Sequence, residues 1–162
     1  MLEPTERITF DLDGRPVTTT VPTRRLLIDL LRDEFGCSGV RAGCDAGLCG
    51  ACTVLVDGVP GTACLMLAVE ADGRRITTIH GLAGPDGALH PIQHAFLEER
   101  ALQCGSCTPG MVLLAAALLA ECPDPDEATI RSWMSAALCR CGGGEAILRA
   151  VRRAAERMRA GQ

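Results

Sequence analysis

The chain has no tyrosine, one tryptophan and three phenylalanines, so aromatic rings supply only 2% of its 162 residues. A core without many rings must be assembled from Leu, Val, Ile, Met and Ala, which bury less area per side chain. No apolar run approaches the roughly 18 residues that a membrane-spanning helix needs. The opening residues Met1-Leu-Glu-Pro-Thr-Glu carry neither a basic segment nor an apolar one of the secretory type, which sets the expectation of a cytoplasmic chain. No G-x-G-x-x-G follows a strand pattern and no G-x-x-x-x-G-K-[ST] occurs, so neither dinucleotide nor ATP binding is indicated. No nucleophile stands paired with a base, and no residue is assigned a catalytic role. A net charge of −4 argues against a nucleic-acid partner. The 48% hydrophobic content excludes wholesale disorder.

What the chain does have is ten cysteines. Eight fall into two sets of four with different spacings. The first is Cys44-x4-Cys49-x2-Cys52, followed by Cys64; the second is Cys104-x2-Cys107, closed after a long gap by Cys139-x-Cys141. The first spacing is that of plant-type 2Fe-2S ferredoxins, C-x4-C-x2-C with a distant fourth cysteine. Three thiolates can converge within so few residues only if the chain wraps tightly, and Gly43, Gly47 and Gly50 are expected to supply the positive φ angles of that wrap. Amides in such a loop point inward at the sulfurs. The chemistry indicated is electron transfer.

Other readings of the cysteines remain at this point. Disulfides belong to oxidising compartments, whereas clustered cysteines in a cytosolic chain bind metal. Two four-cysteine zinc sites are the stronger rival, although zinc favours paired C-x2-C knuckles, which neither set provides in full. A Rieske centre needs histidine ligands, and His80, His90 and His94 sit in no Cys-x-His pair; they read as surface, capping or core residues. Cys37 and Cys122 belong to neither set and read as small buried hydrophobes.

The hydrophobic period divides the chain. Ile8, Phe10 and Leu12 alternate into Asp13-Gly14, and Val17, Thr19 and Val21 alternate out, a hairpin signature. Leu26, Leu27, Leu30 and Leu31 recur at helical spacing through Phe35. After the cysteine loop, Cys52 to Val56, Asp57-Gly58 and Thr62 to Leu65 form a second hairpin candidate, with Ile76 to Ile79 as a last strand. Beyond Gly81 to Gly87 the period becomes helical: His90 to Ala101, a helix capped by Thr108 with Pro109 at its first position and running to Glu121, a helix opened by Asp124 with Glu127 three residues on and running through Leu138, and Glu145 to Arg159. The expectation is an α+β chain, with a β-grasp ferredoxin-like domain over 1–80, a linker over 81–87 and a four-helix bundle over 88–162. The second cysteine set lies at helix ends, where the positive N-terminus of a helix suits an anionic cluster.

Taken in order, Gly43-Cys-Asp-Ala-Gly-Leu-Cys-Gly-Ala-Cys-Thr-Val-Leu-Val-Asp-Gly58, Gln103-Cys-Gly-Ser-Cys-Thr-Pro-Gly-Met111 and Leu138-Cys-Arg-Cys141 resemble the small iron-sulfur subunit of the xanthine dehydrogenase family of molybdenum hydroxylases. The resemblance spans nearly the whole chain. It implies two 2Fe-2S clusters, on Cys44, Cys49, Cys52 and Cys64 and on Cys104, Cys107, Cys139 and Cys141. It implies a large subunit with a molybdenum-pterin cofactor and a medium subunit with FAD, in a heterotrimer or a dimer of heterotrimers. The Cys104 set would lie nearest the pterin and the Cys44 set nearest the flavin. Gln103 matches a glutamine that bonds the pterin, and Cys141 a ligand close to it. One departure stands out: the family continues Cys-Arg-Cys with Thr-Gly-Tyr, and this chain with Gly142-Gly-Gly144. A free-standing two-cluster ferredoxin is the alternative reading.

Overall fold

A computed structural model describes residues 3–84 and 86–161; Met1, Leu2, Gln162 and Pro85, which falls in the expected linker, lie outside the described residues. Strand β1 (Thr5–Leu12) turns at Asp13 and Gly14, both at positive φ, into β2 (Arg15–Pro22). That is the pair of φ signs a two-residue hairpin turn needs to match strand twist, and Asp-Gly supplies it at low cost. Ile8, Phe10 and Leu12 bury the alternate face. A second hairpin, β3 (Thr53–Val56) and β4 (Val59–Thr62), turns the same way at Asp57-Gly58. With β5 (Arg75–Thr77) the sheet order is β2-β1-β5-β3-β4, in which β1 and β5 run parallel and the other neighbours antiparallel.

Helix α1 (Leu27–Asp29) continues as a π-helical turn, Leu30–Glu34. It buries Leu27, Ile28, Leu30 and Leu31 against the sheet, where the Phe35 ring meets Phe10 edge to face at 5.7 Å. Two strand expectations are corrected. Thr62 ends its strand and Ala63–Leu65 forms a single 3-10 turn, because Cys64 must swing toward Cys52 rather than continue the ladder. Ile79 likewise leaves β5 for a 3-10 turn, Ile79–Leu82, opened by the Thr78 hydroxyl accepting from His80 N–H.

The second half is built from α2 (Pro91–Glu98), α3 (Thr108–Glu121), α4 (Glu127–Met134) and α5 (Gly144–Ala160). Their boundaries differ from expectation in instructive ways. His90 is the N-cap of α2, its Nδ1 accepting from Ile92 N–H at 3.2 Å while Gln93 reaches back to His90 N–H. Cys107, not Thr108, occupies the N-cap position of α3, and Pro109 is its second residue. Asp126, not Asp124, caps α4 by accepting from Thr129 N–H at 2.8 Å; a proline disfavours helical backbone at the residue before it, so Pro125 opposes a helix start at Asp124. Asp124 pairs with Arg159 instead.

Two cores result. One is formed by the sheet and α1, the other by the four helices around α3, whose Met111, Val112, Leu114, Leu118 and Leu119 are buried. Leu55 of β3 joins them by packing on Leu113 and Ala117 of α3, with Leu82 and Trp133 alongside. Arg149, Arg153 and Arg157 of α5 pair with Glu98, the last residue of α2, and with Glu99, its C-cap.

Candidate metal centres

The loop between the π-helical turn and β3 carries Cys44, Cys49 and Cys52. Gly47 and Gly50 take positive φ as the wrap requires. Gly43 does not; it is there for space, since a Cβ at that position would lie 2.8 Å from Cys49 Sγ. Leu48 N–H and Cys49 N–H point at Cys44 Sγ at 3.3 and 3.4 Å. The Thr53 hydroxyl, buried, donates to Gly50 C=O at 2.7 Å and fixes the turn between the last two loop cysteines. The 3-10 turn after β4 brings Cys64 beneath the loop, where Cys52 and Cys64 are both buried.

The thiols meet two by two. Cys44 interacts with Cys49, and Cys52 with Cys64. In the second set the partners cross between segments, Cys104 with Cys141 and Cys107 with Cys139. All four of these line one cavity with Gln103, Thr108 and Gly143. Two irons bridged by sulfide take two thiolates at each iron, and two interacting pairs of thiols in each set suit that need. Among the described residues no three His, Cys, Asp or Glu side chains gather about one metal ion.

Charge is arranged to suit an anion. The Cys44 thiol is lowered to about 7 by the N–H groups of Ala46, Cys49 and Leu48. The Cys104 thiol is likewise lowered to about 7, by Ser106 N–H and hydroxyl and by Cys141. Burial first, and then the neighbouring thiol, pushes Cys52 and Cys107 up to about 11. Each set thus pairs thiols that ionise readily with thiols held in an apolar floor, and a positive metal inverts the second preference by taking the thiolate directly. Gly143 N–H points at Cys139 Sγ at 3.4 Å, so the glycine run after Cys141 contributes an amide to the site. Thr108 Oγ1 is buried in the same neighbourhood without a partner. Amides aimed at sulfur and interacting thiols fit an iron-sulfur cluster in each loop, and the Cys104 set adds an unpartnered hydroxyl.

The structure brings Gln103 and Cys141 together: Gln103 Nε2 donates to Cys141 C=O at 3.3 Å. Cys104 is exposed, and so is Gln103. Cys37 is buried against the core of the first half, its thiol pushed up by burial, and Cys122 ends α3. The imidazoles of His80 and His94 are exposed and that of His90 is used as a cap.

A feature that sequence reasoning missed is how closely the two loops approach. Leu138 N–H, one residue before Cys139, donates to Cys49 C=O at 2.9 Å. Small residues permit it: a Cβ on Gly50 would lie 2.6 Å from Ala136 O and 2.7 Å from Ala137 Cβ, and a Cβ on Gly110 would overlap Gly50 O. The recurrence of Gly and Ala beside the cysteines was the only available signal.

Comparison with known proteins agrees with the geometry. The model of a 2Fe-2S iron-sulfur cluster binding domain matches residues 10–76, and that of a [2Fe-2S] binding domain matches residues 78–152. The small FeS subunit of nicotinate dehydrogenase from Eubacterium barkeri is 47% identical over 150 residues, covering 93% of this chain and 95% of the relative. The small subunit of nicotine 6-hydroxylase from Paenarthrobacter nicotinovorans is 43% identical, covering 91% and 90%. Quinoline 2-oxidoreductase from Pseudomonas putida 86 superposes with a TM-score of 0.91 at 42% identity, over 97% of this chain and 98% of that one. The aldehyde oxidoreductase of Desulfovibrio gigas superposes at 0.90 and 36% identity, this chain matching 18% of its length.

Proposed function

The chain belongs to the small iron-sulfur subunits of the xanthine dehydrogenase family of molybdenum hydroxylases, and we propose from that premise which residues carry its electrons and in what order. It is an electron-transfer subunit with two 2Fe-2S domains, in a family whose substrate site lies on other subunits. Nothing among its relatives favours a free-standing ferredoxin.

Cys44, Cys49, Cys52 and Cys64 hold one cluster and Cys104, Cys107, Cys139 and Cys141 the other. The observation that carries this assignment is the two-by-two meeting of the thiols within each matched domain. The division between domains falls at 81–87, between the two cores. Each bound cluster supplies a one-electron couple in which no proton need move and no bond break. This chain's part is to fix the clusters, aim amides at their sulfurs and hold the two loops together at Leu138 and Cys49.

Each cluster loop also offers an outward edge. Cys104 and Gln103 are exposed beside Cys141, and this is the edge we assign to a large subunit bearing the molybdenum-pterin cofactor, with Gln103 free to turn its amide toward it. Leu48 and Leu65, 80% and 61% exposed, flank the Cys44 loop, an apolar rim suited to a medium FAD subunit. Electrons then run from molybdenum to the Cys104 set, across to the Cys44 set, and on to flavin. The assembly is a heterotrimer or a dimer of heterotrimers. No helix is long and apolar enough to cross a membrane among the described residues.

Expression with its partner subunits tests this reading. The complex should contain about four irons and four labile sulfides per copy of this chain, and reduction should give two distinguishable paramagnetic signals. Stoichiometric zinc and no visible absorption would contradict it.

A further inference from the structure

Among the described residues, Thr108 Oγ1 is the one buried side-chain oxygen or nitrogen without a hydrogen-bond partner. Its place makes that notable. Thr108 follows Cys107, is the first residue of α3, and lines the cavity that holds Cys104, Cys107, Cys139 and Cys141. Threonine at such a position ordinarily caps a helix, yet here Cys107 is the N-cap and no side-chain cap bond forms. The hydroxyl has neither the capping role nor solvent. Leaving a buried hydroxyl without a hydrogen bond is costly, and such a group calls for a partner within its own cavity.

We propose that Thr108 is a positioning residue for the potential of the helical-domain cluster, donating its hydroxyl proton to a sulfur of that cluster. The proposal rests on the ligand assignment made above. The acceptor chemistry is that of thiolate or sulfide. On reduction one electron enters, one of two ferric ions becomes ferrous, no bond to the protein breaks and the hydroxyl keeps its proton. The cluster gains one negative charge, so a donor stabilises the reduced form more than the oxidised form and holds the potential up. The ferredoxin-domain cluster has no counterpart: in its loop the corresponding buried hydroxyl, Thr53, is spent on Gly50 C=O. A selective rise at one end of the pair follows, which biases the resting position of the electron toward the Cys104 set.

Thr108→Val keeps the shape of the side chain and removes the donor; Thr108→Ser restores it. Redox titration of the full chain, followed by the paramagnetic signal of each cluster, reads both potentials in one sample. Thr108→Val should lower the potential of the helical-domain cluster by about 59 mV, tenfold in equilibrium constant for one electron. The other cluster should not move, and Thr108→Ser should return the parent value. Thr108→Ala supplies the same test where the second methyl of valine disturbs the loop. An unchanged potential in both donor-less variants, with both clusters present, would overturn the proposal. Failure of the ligand assignment is distinguishable, since the parent chain would then show no second signal at all.

Discussion

The backbone N–H of Leu138 donates to the carbonyl of Cys49 at 2.9 Å, so the two cysteine sets touch through one hydrogen bond. From Cys49 Sγ to Cys139 Sγ the connection is otherwise covalent. The Leu138 side chain takes no part and is 56% exposed. Leu138→Ala should therefore leave stability within about 0.5 kcal/mol and cluster-to-cluster transfer unchanged. Replacing Leu138 by its α-hydroxy acid removes only the donor. Stability should fall by about 1 kcal/mol, and re-equilibration between the clusters after a pulse of one-electron photoreductant should slow with iron content intact.

Gly110 lies against Gly50 O with no room for a Cβ. Gly110→Ala must push the two backbones apart, at a cost of about 1–3 kcal/mol. Both clusters should remain full, while their magnetic interaction, read from the splitting of the fully reduced spectrum, should weaken. Leu113→Ala, at the next contact along α3, is the comparison: it should destabilise by about 2–4 kcal/mol through a cavity and leave the splitting as it was.

The two cysteines outside the ligand sets should be dispensable for metal. Cys37→Ala and Cys122→Ala should each leave iron at the parent level, with a loss of stability on the order of 1 kcal/mol at the buried Cys37. Half the iron in either variant would mean that the ligand list is wrong.

The ion pairs between α2 and α5 set a pH dependence. Arg157 holds the Glu98 carboxyl below its ordinary 4.5, and Arg149 does the same for Glu99. A carboxyl depressed in the folded state binds fewer protons there than in the unfolded state, so its contribution is complete above the unfolded value and fades as pH falls through the folded one. The thermal stability of the parent should therefore fall as pH drops below 4.5, and Glu98→Gln with Glu99→Gln should flatten that slope. Because Glu98 and the arginines that meet Glu99 are exposed to solvent, the change is small.

The hairpins were legible because alternation and Asp-Gly turns are local facts: Ile8, Phe10 and Leu12 bury one face in any register that Asp13-Gly14 allows. The cysteine sets were legible for the same reason, spacing being written in the chain. Element ends were less so. Thr62 to Leu65 has the composition of a strand, yet Cys64 must reach Cys52, and that long-range demand overrides propensity. Thr108 has the chemistry of a cap but faces the cysteine cavity. The contact of Cys49 with Leu138 depends on backbone atoms far apart in sequence and on Gly50 and Gly110 being small; no periodicity announces it.

The order of the electron path is tested most directly in two assembled complexes, one carrying Cys49→Ser and lacking the first cluster, the other carrying Cys107→Ser and lacking the second. Substrate is added and the mixture frozen within milliseconds for paramagnetic resonance. The Cys49→Ser complex should show the helical-domain cluster reduced and the flavin oxidised. The Cys107→Ser complex should leave the ferredoxin-domain cluster oxidised. Reduction of the ferredoxin-domain cluster in the absence of its neighbour, together with an oxidised helical-domain cluster in the Cys49→Ser complex, would contradict the path from Cys104 to Cys44.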